Sequence, residues 1–253
     1  MAARPKISLI TITRDEEALI GQCLKSAWFC DEKIIIDSFS TDKTVEIARG
    51  LGANVIQHEF TNYLRQKQMA LDRATGDWVL LMDADEQATH DLGEEILRAV
   101  SSPSVADGYR IRRILYHLGH YYSHAIYPDT PVRLFRRDRG HIGGRDPHDK
   151  VVVEGRVDRL DQPILHFSYR DISDHVATIN RFSSRAAMEQ EPNAFTPFKM
   201  IANPAWRFFN FYVIRGGFRD GGRGLYAAMT AAFYVFLKYA KLYERRLKSR
   251  TGL

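Results

Sequence analysis

The apolar positions fall into two regimes. Up to about residue 100, short β-branched runs alternate with amphipathic stretches. Ile7–Thr13 reads as a strand by alternation and β-branching. Arg14-Asp15-Glu16-Glu17 ends it, and acids in a first turn favour a helix from about Glu16 to Trp28. Lys33–Asp37 is a second, buried strand ending in an aspartate. Ser38-Phe39-Ser40-Thr41-Asp42 is a turn rich in capping groups, followed by a helix to about Leu51 with Gly52 as its stop. Asn54–Phe60 is a third strand and Tyr63–Arg73 a helix closed by Thr75-Gly76. Val79–Met82 is an unbroken apolar run, which suits a strand buried on both faces of a parallel sheet. The order βαβαβαβ, with right-handed crossovers, predicts a doubly wound, mostly parallel α/β sheet.

After a helix over Asp91–Val100 the pattern changes. Tyr109–Leu115, Val132–Arg136, Val151–Glu154 and Ile164–Phe167 look like strands separated by polar or Gly/Pro-containing turns, which predicts an antiparallel extension of the sheet. Between them runs a His-, Tyr- and Arg-rich stretch from Tyr116 to Asp149. Asp174–Glu191 reads as a helix. Beyond Pro192 and Pro197 the tail is aromatic and helical, interrupted at Gly216-Gly217 and Gly221-Gly222.

Charge changes this picture more than composition does. At 45% hydrophobic and 26% charged, the 253 residues are ordinary for a soluble chain. The net +5 divides into −6 over residues 1–100, +3 over 101–203 and +8 over 204–253. A basic excess confined to one end points to a local task there and argues against a nucleic-acid partner for the chain as a whole. Cys23 and Cys30 lack companions at metal spacing, which suggests reduced thiols in a cytoplasmic protein. No secretory signal opens the sequence, and no apolar stretch is long enough to span a bilayer.

The candidate chemistry sits where the Val79–Met82 run stops, at Asp83-Ala84-Asp85-Glu86. Ligands in open α/β sheets gather at the carboxyl ends of strands. Side chains at i and i+2 of an extended chain share a face, so Asp83 and Asp85 can converge on one target. Two such carboxylates repel unless a cation or proton lies between them. Oxygen ligands favour Mg²⁺ or Mn²⁺, ions that complete their shell with water and substrate phosphates. A polar strand end that merely caps the next helix would leave the same pattern. Neither Gly-x-Gly-x-x-Gly nor Gly-x-x-x-x-Gly-Lys-Ser/Thr is present, which disfavours the dinucleotide-binding and P-loop versions of the fold.

Several motifs, in order, carry a resemblance. They are Ile10-Thr11-Ile12-Thr13-Arg14-Asp15-Glu16-Glu17, Asp37-Ser38-Phe39-Ser40-Thr41-Asp42-Lys43-Thr44, and Ala74-Thr75-Gly76-Asp77-Trp78 leading into Asp83-Ala84-Asp85-Glu86. Tyr127-Pro128-Asp129, Arg133-Leu134-Phe135-Arg136-Arg137, His148-Asp149 and His166-Phe167-Ser168-Tyr169-Arg170-Asp171 follow. Together they resemble the family 2 glycosyltransferases, inverting enzymes of the GT-A fold. Within these the chain is similar to the lipopolysaccharide core β-1,4-glucosyltransferases that extend inner-core heptose. The resemblance implies a GT-A catalytic domain over residues 1–173, with a nucleotide-sugar half (1–100) and an acceptor half (101–173). A helical, basic and aromatic region (174–253) follows, a candidate for membrane association. Three departures stand out: Phe39 replaces the usual glycine of an Asp-Ser-Gly-Ser turn, His148-Asp149 stands for His-Glu, and Lys67-Gln68 stands for Arg-Asn.

The resemblance assigns Asp37 to the nucleobase edge and Thr11 and Thr13 to the nucleotide's bed. Asp83 and Asp85 become ligands of the divalent cation, Mg²⁺ or Mn²⁺, with Lys67 or Arg133 adding positive charge for the diphosphate. His166 is a possible further ligand, against the plainer reading of a structural histidine. Asp149 is the candidate base, with Asp146 and Asp129 as rivals and His148 as an orienting or phosphate-contacting group. The implied partners are a nucleoside diphosphate sugar, UDP-glucose first, a lipid-linked saccharide acceptor, and an anionic membrane surface approached by residues 204–253. The expected location is peripheral, on the cytoplasmic face of the inner membrane. Capsule, exopolysaccharide or O-antigen assembly would use the same machinery. A sugar nucleotidyltransferase would also use acidic strand ends but needs a glycine-rich, basic N-terminal loop, which Ile12-Thr13-Arg14-Asp15 is not.

Overall fold

A computed structural model describes residues 4–102, 106–122, 124, 129–145, 148–191 and 197–251, without the side chains of 145, 148, 149, 250 and 251. The chain forms two compact units. Residues 1–114 with 129–166 make the first, and 115–128 with 167–253 the second.

The first unit begins with β1 (Ile7–Thr13), α1 (Ile20–Ser26), β2 (Glu32–Asp37), α2 (Thr44–Gly50), β3 (Asn54–Gln57), α3 (Tyr63–Asp72) and β4 (Trp78–Leu81). Strands β4, β1, β2 and β3 lie side by side and parallel. Short β5 (Glu86–Ala88) and α4 (His90–Val100) follow, then β6 (Gly108–Arg110) and the start of β7 (Arg113–His117). The second unit takes the rest of β7 and β8 (His120–Tyr121). The chain then returns to the first unit as β9 (Val132–Arg136), β10 (Gly140–Arg145), β11 (His148–Val153), β12 (Val157–Arg159) and β13 (Ile164–His166). β9 runs antiparallel between β4 and β6, and β12 joins β6, giving a seven-stranded sheet in the order β12-β6-β9-β4-β1-β2-β3. β10 and β11 form an antiparallel hairpin, and β13 pairs antiparallel with β5.

Alternation places the two cores. Leu9, Ile35 and Leu80 face α1, α2 and α4 through Ile20, Leu24, Ala48, Leu92 and Ile96. Ile10, Ile34, Ile36, Val79 and Leu81 face the other way, onto Ala70 and Leu71 of α3 and onto Ile142 and Val151 of the hairpin. β4 is buried at every position, as its unbroken apolar run requires.

The helix expected from Glu16 starts at Ile20 and has no acid in its first turn. The acids serve the neighbouring turn instead. Asp15, at φ +54°, accepts from Thr41 N–H, and Glu17 accepts from Lys43 N–H. Asp42 accepts in return from Glu17 N–H. The Ala74–Trp78 motif is likewise structural. A Cβ on Gly76 would lie 2.6 Å from Ser8 Oγ and 2.9 Å from Ser8 N. Asp77 Oδ2 accepts from Lys6 N–H at 2.8 Å. The third strand ends at Gln57 rather than Phe60. Both cysteines are free thiols.

The second unit is helical, with a β7–β8 hairpin. α5 (Ile172–Met188), α6 (Pro197–Phe209), a π-helical turn (Asn210–Ile214), a 3₁₀ turn (Gly217–Asp220) and α7 (Gly221–Thr251) follow one another. Gly216 and Gly221, at φ +74° and +61°, make the break expected there. Met200 of α6 packs on Val235, Tyr239 and Leu242 of α7.

Candidate active site

The end of β4 carries a dense ionic cluster. Asp83 Oδ1 lies 3.1 Å from Lys67 Nζ of α3. Asp83 Oδ2 accepts from Arg133 Nη2 at 3.0 Å and stands 3.6 Å from Arg113 Nη1. Glu86 is fully buried and ties these together. Its Oε1 accepts from Arg133 at 2.7 Å and from Arg113 at 3.0 Å, and its Oε2 accepts from Asp83 N–H at 2.9 Å. Arg113 continues outward to Asp129 through a bidentate pair of 3.0 and 2.7 Å. Asp85 points to a different partner, with Oδ2 at 3.1 Å from His166 Nε2 on β13.

The fold explains this convergence. Arg133 is on β9, the strand paired with β4, and Arg113 opens β7. Lys67 comes from the helix covering the same face as Leu81. Burial raises the Asp83 carboxyl pKa, but Arg133, Lys67 and Arg113 outweigh it and hold the group well below the usual carboxylate range. Glu86 goes the other way, because burial and Asp83 together exceed the pull of the two guanidiniums.

The donors fit a hard divalent cation. Such ions are commonly held by one or two carboxylates plus substrate phosphates, and Asp83 and Asp85 supply two, with the His166 imidazole beside Asp85. Among the described residues no group of three His, Cys, Asp or Glu is gathered into a ready-made ion site. Asp83 is engaged by three cations and Asp85 by one imidazole, so the pair expected to converge is divided between partners.

The other expected residues are placed as follows. Asp37 is fully buried, and its carboxylate already accepts from Ser40 N–H at 3.0 Å, from Ser40 Oγ and from Gln57 Nε2 at 3.2 Å. It holds the turn that carries Phe39 at φ +54°, an outlier for a bulky residue that this bracing sustains. Thr11 and Thr13 are buried, and neither hydroxyl meets a partner among the described atoms. Gln68, beside Lys67, turns to the hairpin and accepts from Ile142 N–H at 3.0 Å. His148 and Asp149 lie on β11, where Asp149 pairs with Gly144, but their side chains lie outside the described residues, as does Asp146. The rival base Asp129 has both oxygens committed to Arg113.

The sequence alone assigns no role to Glu86 or Arg113. Glu86 stands in the acidic run itself, and its burial was the missing fact. Arg113 has no local signal, because Asp129 and Glu86 meet it only through the fold.

The model of the family described as glycosyl transferase family 2 matches residues 8–153. The chain belongs to that family. It is similar over its whole length to a lipopolysaccharide core biosynthesis glycosyltransferase, LpsC, of Rhizobium meliloti, at 30% identity over 100% of this chain and 98% of the relative. An uncharacterized glycosyltransferase of Rickettsia typhi is 33% identical over 97% and 89% of the two chains. Among solved structures, the mannosyltransferase PcManGT of Pyrobaculum calidifontis superposes with a TM-score of 0.55 at 17% identity, over 96% of this chain and 88% of that one. Residues 1–349 of S. aureus TarS superpose at 0.50 and 14% identity, over 98% and 92%. The fold of this family 2 glycosyltransferase is of the GT-A type, with the expected mostly parallel sheet, antiparallel extension and C-terminal helices.

Proposed function

We propose that the protein transfers a hexose, glucose first among candidates, from a nucleoside diphosphate sugar to a lipid-linked saccharide of the lipopolysaccharide inner-core type, with inversion. The observation that carries this reading is the cluster of Lys67, Arg113 and Arg133 around Asp83 and Glu86 at the end of β4. A departing diphosphate needs positive charge placed in advance, and guanidiniums take phosphate oxygens in the same bidentate manner as carboxylates. The whole-length likeness to LpsC supports the acceptor class. PcManGT was solved with GDP-Man and Mn²⁺, and TarS 1–349 with UDP-GlcNAc. These complexes support a nucleotide sugar and a divalent cation for this chain too.

In this mechanism Asp83 and Asp85 would hold the cation, which would supply Lewis-acid charge to the diphosphate. Lys67 and Arg133 neutralise the phosphate oxygens, and Glu86 fixes the Arg133 and Arg113 side chains so that they need not reorganise. Thr11 and Thr13 bed the nucleotide, where both have a hydroxyl to satisfy, and Asp37 shapes the base-side turn. Asp149 takes the proton of the attacking acceptor hydroxyl, with His148 beside it. The second unit docks on the anionic cytoplasmic face of the inner membrane, where a lipid-linked acceptor would be anchored. Among the described residues no helix is long and apolar enough to cross a membrane.

The test is product analysis with a panel of nucleotide sugars and truncated lipopolysaccharide acceptors, with Mg²⁺, Mn²⁺ or EDTA. Transfer of glucose to a heptose-terminated acceptor is expected. Release of pyrophosphate from a nucleoside triphosphate and a sugar phosphate, with no transfer, would overturn the reading.

A further inference from the structure

The second unit holds a crevice that the glycosyl-transfer reading does not use. It encloses about 330 Å³ between α6 and α7 and is lined by Asn203, Trp206, Arg207, Asn210, Val235, Lys238 and Tyr239. Two of these are cations, and among the described residues neither Arg207 nor Lys238 has a carboxylate within ion-pair distance. Both rest on aromatic rings instead. The Arg207 guanidinium lies 5.4 Å from the Phe211 centroid and Lys238 Nζ 4.6 Å from that of Tyr239. The neutral partners are oriented as donors. Asn203 Nδ2 donates to Tyr239 Oη at 2.7 Å, which leaves the Tyr239 hydroxyl proton to give. Asn210 Oδ1 accepts from Arg215 Nε at 3.0 Å, so its amide N–H₂ is the group left over. Cations and donors lining a small space, with no acid among them, form the complement of a compact anion with several acceptor oxygens.

The surroundings identify the source of that anion. Outside the crevice α6 turns apolar side chains to solvent, with Phe198 77%, Ile201 72% and Trp206 61% exposed, followed by Phe209 at 46% and Val213 at 45%. Positions 198, 201, 209 and 213 follow helical spacing, so they form one stripe, and Trp206 belongs to both stripe and crevice. An apolar stripe beside basic and aromatic groups is the pattern of a helix lying in a membrane interface. We propose that the α6–α7 crevice binds the phosphate headgroup of an anionic lipid, with Arg207 and Lys238 as the cations, Asn210 and Tyr239 as neutral donors, and the Phe198–Val213 stripe among the acyl chains. This deepens the membrane-docking part of the proposed function and rests on that part alone. A docked enzyme would thereby be fixed in orientation rather than held by diffuse charge.

The full-length protein is sedimented with phosphatidylcholine vesicles carrying a minority of phosphatidic acid, and with vesicles given the same charge by a fatty acid. Diffuse attraction counts charges only, so two lost cations cost about 30-fold wherever they are removed. The site predicts that R207Q/K238Q loses at least about tenfold more affinity for phosphatidic acid vesicles than R219Q/K248Q. It also predicts that R207K, with its charge retained, weakens phosphatidic acid binding without affecting fatty-acid vesicles. Equal losses in the two double variants, or no preference for phosphatidic acid, would overturn it. So would displacement from vesicles by glycerol 3-phosphate matched by equally tight binding of that soluble phosphate, which would make the crevice a free-phosphate site. Calorimetric binding of nucleoside diphosphate with Mn²⁺ is read in parallel. The crevice variants should leave it unchanged, so failure of the crevice is distinguishable from failure of the glycosyl-transfer reading.

Discussion

Arg133→Met tests whether the ionic cluster depends on that one guanidinium. Arg133 is 5% exposed, and its Nη2 bridges Asp83 at 3.0 Å and Glu86 at 2.7 Å. Methionine keeps the apolar stem and deletes both bonds. Removing one partner of a buried pair costs about 3–5 kcal/mol, because the other charges stay buried. Lys67 at 3.1 Å from Asp83 and Arg113 at 3.0 Å from Glu86 retain part of the compensation, so the lower end, about 3 kcal/mol, is expected. At about 2–4 °C per kcal/mol for a domain of this size, Tm of the first unit should fall by roughly 6–12 °C. Scanning calorimetry reads it directly. Glu86→Leu should be similarly costly alone. The double variant should be less destabilised than the sum by about 1–3 kcal/mol, since an apolar pair replaces an ionic one. A shift under about 2 °C for Arg133→Met, or strict additivity in the cycle, would refute the reasoning.

The remaining predictions concern chemistry and pH. Asp85→Ala should abolish transfer and weaken nucleotide binding while leaving Tm nearly unchanged, whereas Asp83→Ala should also lower Tm because Lys67 and Arg133 lose their partner; full activity of Asp85→Ala in EDTA would defeat the ion-binding role. Asp149→Asn should leave donor affinity intact and cut turnover by roughly two to four orders of magnitude; a near-normal Asp149→Asn with a dead Asp146→Asn moves the base. His175, buried against Tyr169 and 2.8 Å from the Tyr226 hydroxyl, has its pKa pushed down to about 4 by burial, with His117 adding to the shift. The unfolded chain therefore binds the proton first, so stability present above about pH 6.5 is lost as pH falls towards 4. Tm measured across that window should fall less steeply for His175→Phe than for the parent; identical slopes would remove His175 from the account.

Much of this was legible because periodicity survives folding. The β4 run reads as buried on both faces and is so. The four parallel strands are marked by short apolar runs, although the third stops at Gln57, short of Phe60, and the break at Gly216–Gly221 is announced by its glycines. What failed to read were groups whose meaning is a distant partner. Asp15, Glu16 and Glu17 look like a helix start, but Asp15 and Glu17 brace the 40–44 turn some 25 residues away. Asp37, which the resemblance assigns to the nucleobase edge, is buried at its strand end. Its carboxylate accepts from Ser40 three residues on, as turn carboxylates commonly do, and from Gln57 of the neighbouring strand, which only the fold brings near. Arg113 belongs to the cluster only because β7 begins beside Glu86.

Charge balance at the end of β4 bears on how the proposed donor and cation would enter. Lys67, Arg113 and Arg133 face Asp83, Glu86 and Asp129, so the described cluster is neutral without any ligand when all three carboxyls are ionised. A cation alone must draw Asp83 away from three positive groups. A diphosphate alone must compete with Asp83 for Lys67 and Arg133, which Glu86 holds in place. Each entry is opposed by pairs at 2.7–3.1 Å. When both enter together, each neutralises what the other displaces. Opposed single entry and favoured joint entry mean that each ligand would raise the affinity for the other, a negative coupling free energy. Its source is the same set of contacts that stabilises the empty fold. On the proposed assignment of donor and cation to this cluster, the residues that make the site stable without ligand are also the ones that would make the two bind as a unit.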